Sequence, residues 1–246
     1  MKRSLLILFV LALTFLSFTS WAITKIRFGV ISFYPPFVFS SKSGYIHGFD
    51  IEVANAICQQ LKTQCVFIPL SLSSLFQQLT DNQVDAIMGA ISITAQRQKQ
   101  FDFTQPYFKS SMVYVTLSSN NIDSNNLRGK KIGAVKDSTF FSYLTTKYGS
   151  SIILKSFVTN EALFNALSNH LVDIVLIDSP AAQYWVDYSA GLFRTIGTPT
   201  YLPFDQGYGI TVRQGSPELL KELNTSLTAL GNSNILKKLI NTYFNK

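Results

Sequence analysis

The sequence predicts an α/β fold built as two lobes around a cleft, and three observations carry that prediction. Short apolar runs bounded by turn residues alternate with stretches of helical period, the pattern of a largely parallel sheet. One such unit recurs: Leu75-Phe76, Leu79, Val84-Asp85 and Ile87 return as Leu163-Phe164, Leu167, Val172-Asp173 and Val175, all 88 residues later. A weaker echo pairs residues 25–30 with 131–135, both strands leading into loops. Finally, a short strand and a long helix close the chain, as expected if it leaves the first lobe and returns to it through a double hinge.

Taken in order, the chain opens with Lys2 and Arg3, an apolar stretch over residues 5–18 and Ser20-Trp21-Ala22. This is the layout of an export signal cleaved after Ala22, with a retained membrane anchor as the alternative. The mature chain then has 224 of the 246 residues, enough for one large domain or two ordinary ones. Its formal charge falls from +7 to +5 with the loss of Lys2 and Arg3. The remaining basic residues are scattered, with no run beyond Lys130-Lys131 and Lys237-Lys238. That pattern is a solvated surface rather than a nucleic-acid footprint.

Residues 26–30 read as a buried strand ending in Tyr34-Pro35-Pro36-Phe37. After a turn at Gly44, Asp50 is placed to cap a helix whose apolar face is Val53, Ala54, Ile57 and Leu61. Residues 65–70 form a second strand. Residues 74–79 form a helix with Ser74 and Gln77 at capping-box spacing, and 84–90 form a buried strand. Residues 113–117 cross to the second lobe, and 207–212 and 217–230 form the returning strand and helix. The expected division is a leader at 1–22, a first lobe at 23–110, a second lobe at 111–206 and a return segment at 207–246. Cys58 and Cys65, an even pair in an exported chain, read as a disulfide, with two buried thiols as the alternative.

Enzyme signatures are missing: no Gly-rich phosphate loop, no Gly-x-Ser-x-Gly elbow and no His pair at metal spacing. Neither a metal nor a cofactor is expected. The loops after the apolar strands are more informative, because ligands in such sheets bind beyond the strands' carboxyl ends. Thr94 is placed to cap a helix with Arg97 in its first turn. A guanidinium beside free N–H groups makes a carboxylate site. Asp178, at the end of the equivalent strand in the second lobe, reads two ways. It is either a cleft carboxylate that holds an ammonium group or the cap of a helix begun by Ser179-Pro180.

With these motifs in place, the chain resembles the polar amino-acid-binding periplasmic proteins, the third bacterial solute-binding family. The resemblance rests on Tyr34-Pro35-Pro36-Phe37, Gly48-Phe49-Asp50-Ile51, Val84-Asp85-Ala86-Ile87-Met88 and Ser92-Ile93-Thr94 with Arg97. It continues through Phe103-Thr104, Pro106-Tyr107, Leu127-Arg128-Gly129-Lys130, Val172-Asp173 and Asp178. It implies the two-lobed periplasmic binding protein fold of the type II-like class, with two hinge strands, closing on a ligand. It also implies a monomeric periplasmic receptor that passes a free L-amino acid of the glutamine or arginine class to the membrane permease of an ABC transporter. The alternative is an enzyme on the same fold, similar to cyclohexadienyl dehydratase. Position by position, the resemblance makes Arg97 the holder of the ligand α-carboxylate with Ser92 beside it, and Asp178 the holder of the α-ammonium. Tyr34 and Leu72 would flank the ligand side chain, with Thr139 and Phe140 in the second-lobe loop whose N–H groups help bind the carboxylate. The Cys58/Cys65 spacing also matches a disulfide of the basic amino-acid binders. Ile31, Lys136 and the Ser138-Thr139-Phe140 stretch depart from the family pattern. Lys136 is expected to line the pocket and to disfavour a cationic ligand, with a lysine that swings out to solvent or pairs with a nearby acid and takes no part in selection as the alternative.

Overall fold

The computed structural model describes residues 24–41 and 43–244, so the expected leader lies outside the described residues. Two five-stranded sheets organise the chain. The first comprises β1 (Lys25–Ile31), β4 (Gln64–Leu70), β5 (Ala86–Met88), β6 (Phe101–Phe103) and β12 (Thr211–Arg213), in the order β4-β1-β5-β12-β6. The second comprises β7 (Met112–Leu117), β8 (Lys131–Val135), β9 (Ile153–Phe157), β10 (Ile174–Asp178) and β11 (Phe193–Thr200), in the order β11-β7-β10-β8-β9. A small hairpin of β2 (Phe39–Ser40) and β3 (Ile46–His47) stands apart.

The sheets share one plan. In each, three strands run parallel, and the fourth and fifth are added antiparallel. The sequence repeat maps onto that plan. α2 (Leu72–Thr80) and α5 (Asn160–Ser168) have identical bounds 88 residues apart. Each packs over a glycine in the strand beneath it. A Cβ on Gly29 would lie 3.0 Å from Leu75 Cδ2, and one on Gly133 would lie 2.6 Å from Leu163 Cδ1. The paired Val-Asp of each repeat also acts alike: Asp85 accepts the N–H of Arg27 at 2.8 Å, and Asp173 accepts that of Lys131 at 2.8 Å.

Some local readings change. The cap of α2 is Ser71, whose Oγ accepts the Ser74 N–H at 3.3 Å. Gln77 instead donates to the Asp81 carboxylate at 2.9 Å, so the capping box does not form. In α1 (Phe49–Leu61) the cap position is Gly48, and the fully buried Asp50 carboxylate reaches away from its helix to accept the Ala90 N–H at 2.7 Å. The expected Asp50 cap is thus replaced by a tie to the loop after β5. The Cys58–Cys65 disulfide forms and links the end of α1 to the start of β4, with Cα atoms 5.9 Å apart. The return segment holds two helices, α7 (Pro217–Asn232) and α8 (Ile235–Phe244), both packed on α1. Phe244 stacks on Phe108 at 4.4 Å and meets Phe49 edge-on at 4.8 Å.

Between the sheets the chain crosses twice, over residues 104–111 and 201–210, and the crossings hold each other. Tyr208 N–H donates to Phe108 O at 2.7 Å, and Tyr107 N–H donates to Tyr208 O at 2.9 Å. Gly207 is required here, since its φ is +116° and a Cβ would sit 2.8 Å from Phe108 O. At the other edge of the cleft an aromatic seam joins the lobes. Phe33 and Phe39 pack edge-on against Tyr184 of α6 (Ser179–Asp187), with centroids 6.3 Å and 5.6 Å away.

Candidate functional site

A cleft of about 670 Å³ of empty space, mouth included, opens where the strands' carboxyl ends from the two lobes meet. Ile31, Tyr34, Ala90 and Ser92 reach it from the first lobe, and Val135, Thr139, Phe140 and Ile177 from the second.

Arg97 lines this cleft. Thr94 caps α3 (Ala95–Gln98) by accepting the Arg97 N–H at 3.3 Å, which turns the side chain across the cleft. Its Nη1 donates to Ser92 O at 3.0 Å, and its Nη2 reaches Asp137 O of the other lobe at 3.4 Å. The guanidinium also lies over the Phe76 ring, 4.9 Å from the centroid. Surrounding protein atoms desolvate it and pull its pKa down to about 10, opposed by Asp205 and Asp137. It remains a cation at neutral pH, held in place before any ligand arrives.

Asp178 follows the lining residue Ile177 and is 1% exposed. Of the two readings from sequence, the helix cap is the one the structure shows. One oxygen accepts the Ala181 N–H at 3.4 Å and caps α6, and the other accepts the Tyr34 hydroxyl. Burial pushes the carboxyl up to about 7, and the Tyr34 hydrogen bond only partly offsets this. Burial, then the neighbouring Asp178 charge, raises the Tyr34 pKa well above its usual value, so the phenol stays a donor. An ammonium brought to this acid would restore the charged form.

Of the other expected site residues, Leu72, Thr139 and Phe140 line the cleft, as do Tyr34, Ser92 and Arg97. Lys136 does not; it is exposed, and its backbone N–H donates to Phe157 O at 2.8 Å. Ser92 has its hydroxyl proton engaged by Asp205 at 2.8 Å. Sequence reasoning missed Asp205. It sits on the second crossing, accepts the Gly207 N–H at 2.8 Å and has a pKa raised by burial. No local motif marks it, because only the crossing brings it to Ser92 and Arg97. Asn160, buried in the lining, was missed for the same reason. Among the described residues no group of His, Cys, Asp or Glu is placed to hold a metal ion, and no helix is long and apolar enough to cross a membrane.

Two sheets of matching plan, a double crossing and a cleft lined by a cation with a buried acid beside it define a two-lobed binding protein. Residues 26–246 match the model of the bacterial extracellular solute-binding proteins, family 3, and the chain belongs to that family. It is 31% identical over 240 residues to ABC transporter arginine-binding protein 1 of Escherichia coli K12, covering 96% of this chain and 98% of that one. Among solved structures it is similar to an ancestral arginine-binding protein bound to glutamine, with a TM-score of 0.83, 29% identity and coverage of 90% of this chain and 98% of that chain. An ancestral arginine-binding protein bound to arginine gives a TM-score of 0.84 at 29% identity, covering 91% of this chain and 99% of that chain.

Proposed function

We propose that this protein captures a free polar or basic L-amino acid, of the glutamine or arginine class, in the periplasm and hands it to an ABC transporter permease without catalysis. The observation that carries this reading is a cation, Arg97, in the cleft lining together with a buried acid, Asp178, bonded to the lining Tyr34, two groups that suit the two charges of an amino-acid zwitterion. The guanidinium grips the α-carboxylate with planar donors, with the N-terminal N–H groups of α4 (Thr139–Tyr148) beside it. Asp178 takes the α-ammonium, with Tyr34 fixing its orientation. Closing the lobes over the ligand converts binding into a shape that a membrane partner reads.

The names of the relatives supply the rest. The Escherichia coli relative is an arginine-binding protein of an ABC transporter, and the ancestral fold holds glutamine or arginine. Catalysis has no support in the site, since Asp178, the buried acid at the cleft, already caps α6 and binds Tyr34. A thermal-shift screen of the twenty amino acids with ornithine and citrulline tests the reading. One or a few polar amino acids raise the melting temperature by several degrees, because they bind only the folded state. A flat response across the whole set overturns it.

A further inference from the structure

Given the reading of the cleft as an amino-acid site, on which this inference rests, the far end of the ligand has its own recognition group. We propose that Asn160 reads the ligand side chain, and that the preferred ligand is an L-amino acid ending in a neutral carboxamide or ureido group, with glutamine the simplest case.

Asn160 is the first residue of α5 and lines the cleft with only 7% of its surface exposed. Among the described residues its carboxamide makes no hydrogen bond, whereas the neighbouring Thr159 hydroxyl caps α5 by accepting the Ala162 N–H at 3.2 Å. The Asn160 amide therefore keeps two donors and an acceptor free for whatever enters the cleft. A ligand amide answers both functions at once. The repeat makes the position telling. Its counterpart 88 residues earlier is Leu72, the first residue of α2, which also lines the cleft. The equivalent places are thus filled by an apolar wall in one lobe and a polar reader in the other.

Charge decides against a cationic side chain. Among the described residues Arg97 is the one charged side chain in the cleft lining, and Asp178, bonded to Tyr34, is committed to the α-ammonium. A guanidinium or ammonium at the far end would be buried with no carboxylate of its own, which is expensive. In addition, α2, α4 and α5 all present their first residues, Leu72, Thr139 and Asn160, to the cleft. Three positive dipole ends oppose a cation and favour a carbonyl oxygen. A carboxylate side chain fits less well than an amide, because no second cation lines the cleft and the Asn160 carbonyl oxygen would find no donor. Ile31, Leu72, Val135 and Phe140 supply apolar walls for the intervening methylenes.

The test is calorimetry on the whole protein, freed of endogenous ligand by unfolding and refolding, with L-glutamine, L-arginine and L-glutamate as probes. The wild type is expected to bind glutamine at least tenfold more tightly than either of the others. Asn160→Ala weakens glutamine at least tenfold. Asn160→Asp, which keeps the size and suits a helix N-terminus, shifts the glutamine-to-arginine ratio toward arginine by tenfold or more. Arginine bound more tightly than glutamine by the wild type, or glutamine affinity within twofold of wild type in folded Asn160→Ala, overturns the inference. If that same protein loses its amino acid on Arg97→Ala, the amino-acid reading survives and only the role of Asn160 falls. If no amino acid binds the wild type, both fall together.

Discussion

The two lobes repeat one plan but spend it differently. Both cover a strand glycine with a helix leucine, and both use an aspartate to hold the start of a central strand. Yet the first lobe is tied down far more heavily. Arg27 adds an ion pair to Asp85 at 2.7 Å, where Asp173 holds only the backbone N–H of Lys131. Cys58–Cys65 staples α1 to β4, and the buried Asp50 pins Ala90 in the loop that leads to Ser92 and Arg97. The second lobe contributes Asp178, Thr139, Phe140 and Asn160 on lighter supports. The difference teaches that the lobe presenting the rigid cation is the braced one. The other lobe carries the groups proposed above to close over the ligand and sort it.

The largest expected effect comes from breaking the pairing of the lobes at the ligand. Arg97→Ala and Asp178→Asn each leave one ligand charge desolvated and unmatched, and should each cost on the order of 2–5 kcal/mol of binding. Asn keeps the α6 cap, so melting temperatures should stay close to wild type. Calorimetry showing normal affinity in either folded variant breaks the assignment.

Proton linkage comes next and touches both lobes. Burial holds Asp50 in the first lobe and Asp178 in the second at about 7, above the usual 3.8. Between those values the folded protein keeps protons that the unfolded chain releases. Stability of the empty protein therefore falls as pH rises from about 4 to about 7, by up to about 1.4 kcal/mol per unit for each group, and levels off above. Ligand binding reverses the demand on Asp178 alone, because an ammonium needs the charged acid. Affinity should weaken as pH drops below about 7, and Asp178→Asn should flatten that profile. Urea melts and titrations from pH 5 to 8 measure both; a stability that rises with pH over that window would contradict the burial argument.

The braces of the first lobe are the third target. Replacing Cys58 and Cys65 together with Ser should lower stability by about 2–3 kcal/mol through the freed loop in the unfolded chain. Ligand affinity should change little, since the staple lies away from the cleft. Denaturant midpoints with and without ligand separate the two effects.

The smallest effect sharpens the symmetry itself. Gly133→Ala places its methyl closer to Leu163 than Gly29→Ala does to Leu75, at 2.6 Å against 3.0 Å. Both should destabilise by about 1–3 kcal/mol, with Gly133→Ala the larger. Equal losses in thermal melts would mean that the second lobe yields more easily around its helix than the first.

Much of this was legible in the chain before folding. The 88-residue echo announced two similar units because each must place the same leucines over a sheet and the same aspartate at a strand start. Thr94 and Arg97 were readable because a cap and a first-turn guanidinium are local features, four residues or fewer apart. Cys58 and Cys65 were readable as an even pair in a chain expected to be exported. Asp50 misled, because a carboxylate near a helix start has the same local signature whether it caps that helix or reaches a loop 40 residues away.

What the sequence by itself determined is the repeated α/β unit, the Thr94 cap with Arg97 behind it, and the disulfide, all set by local spacing or composition. Only the tertiary structure decided that Asp205 takes the Ser92 hydroxyl, that Lys136 stays outside the cleft and that Asn160 lines it without a partner. Those three facts depend on how two lobes meet across two crossings. Contacts between residues 40 to more than 100 positions apart leave no periodicity or spacing in a single chain, so only the packed geometry can fix them.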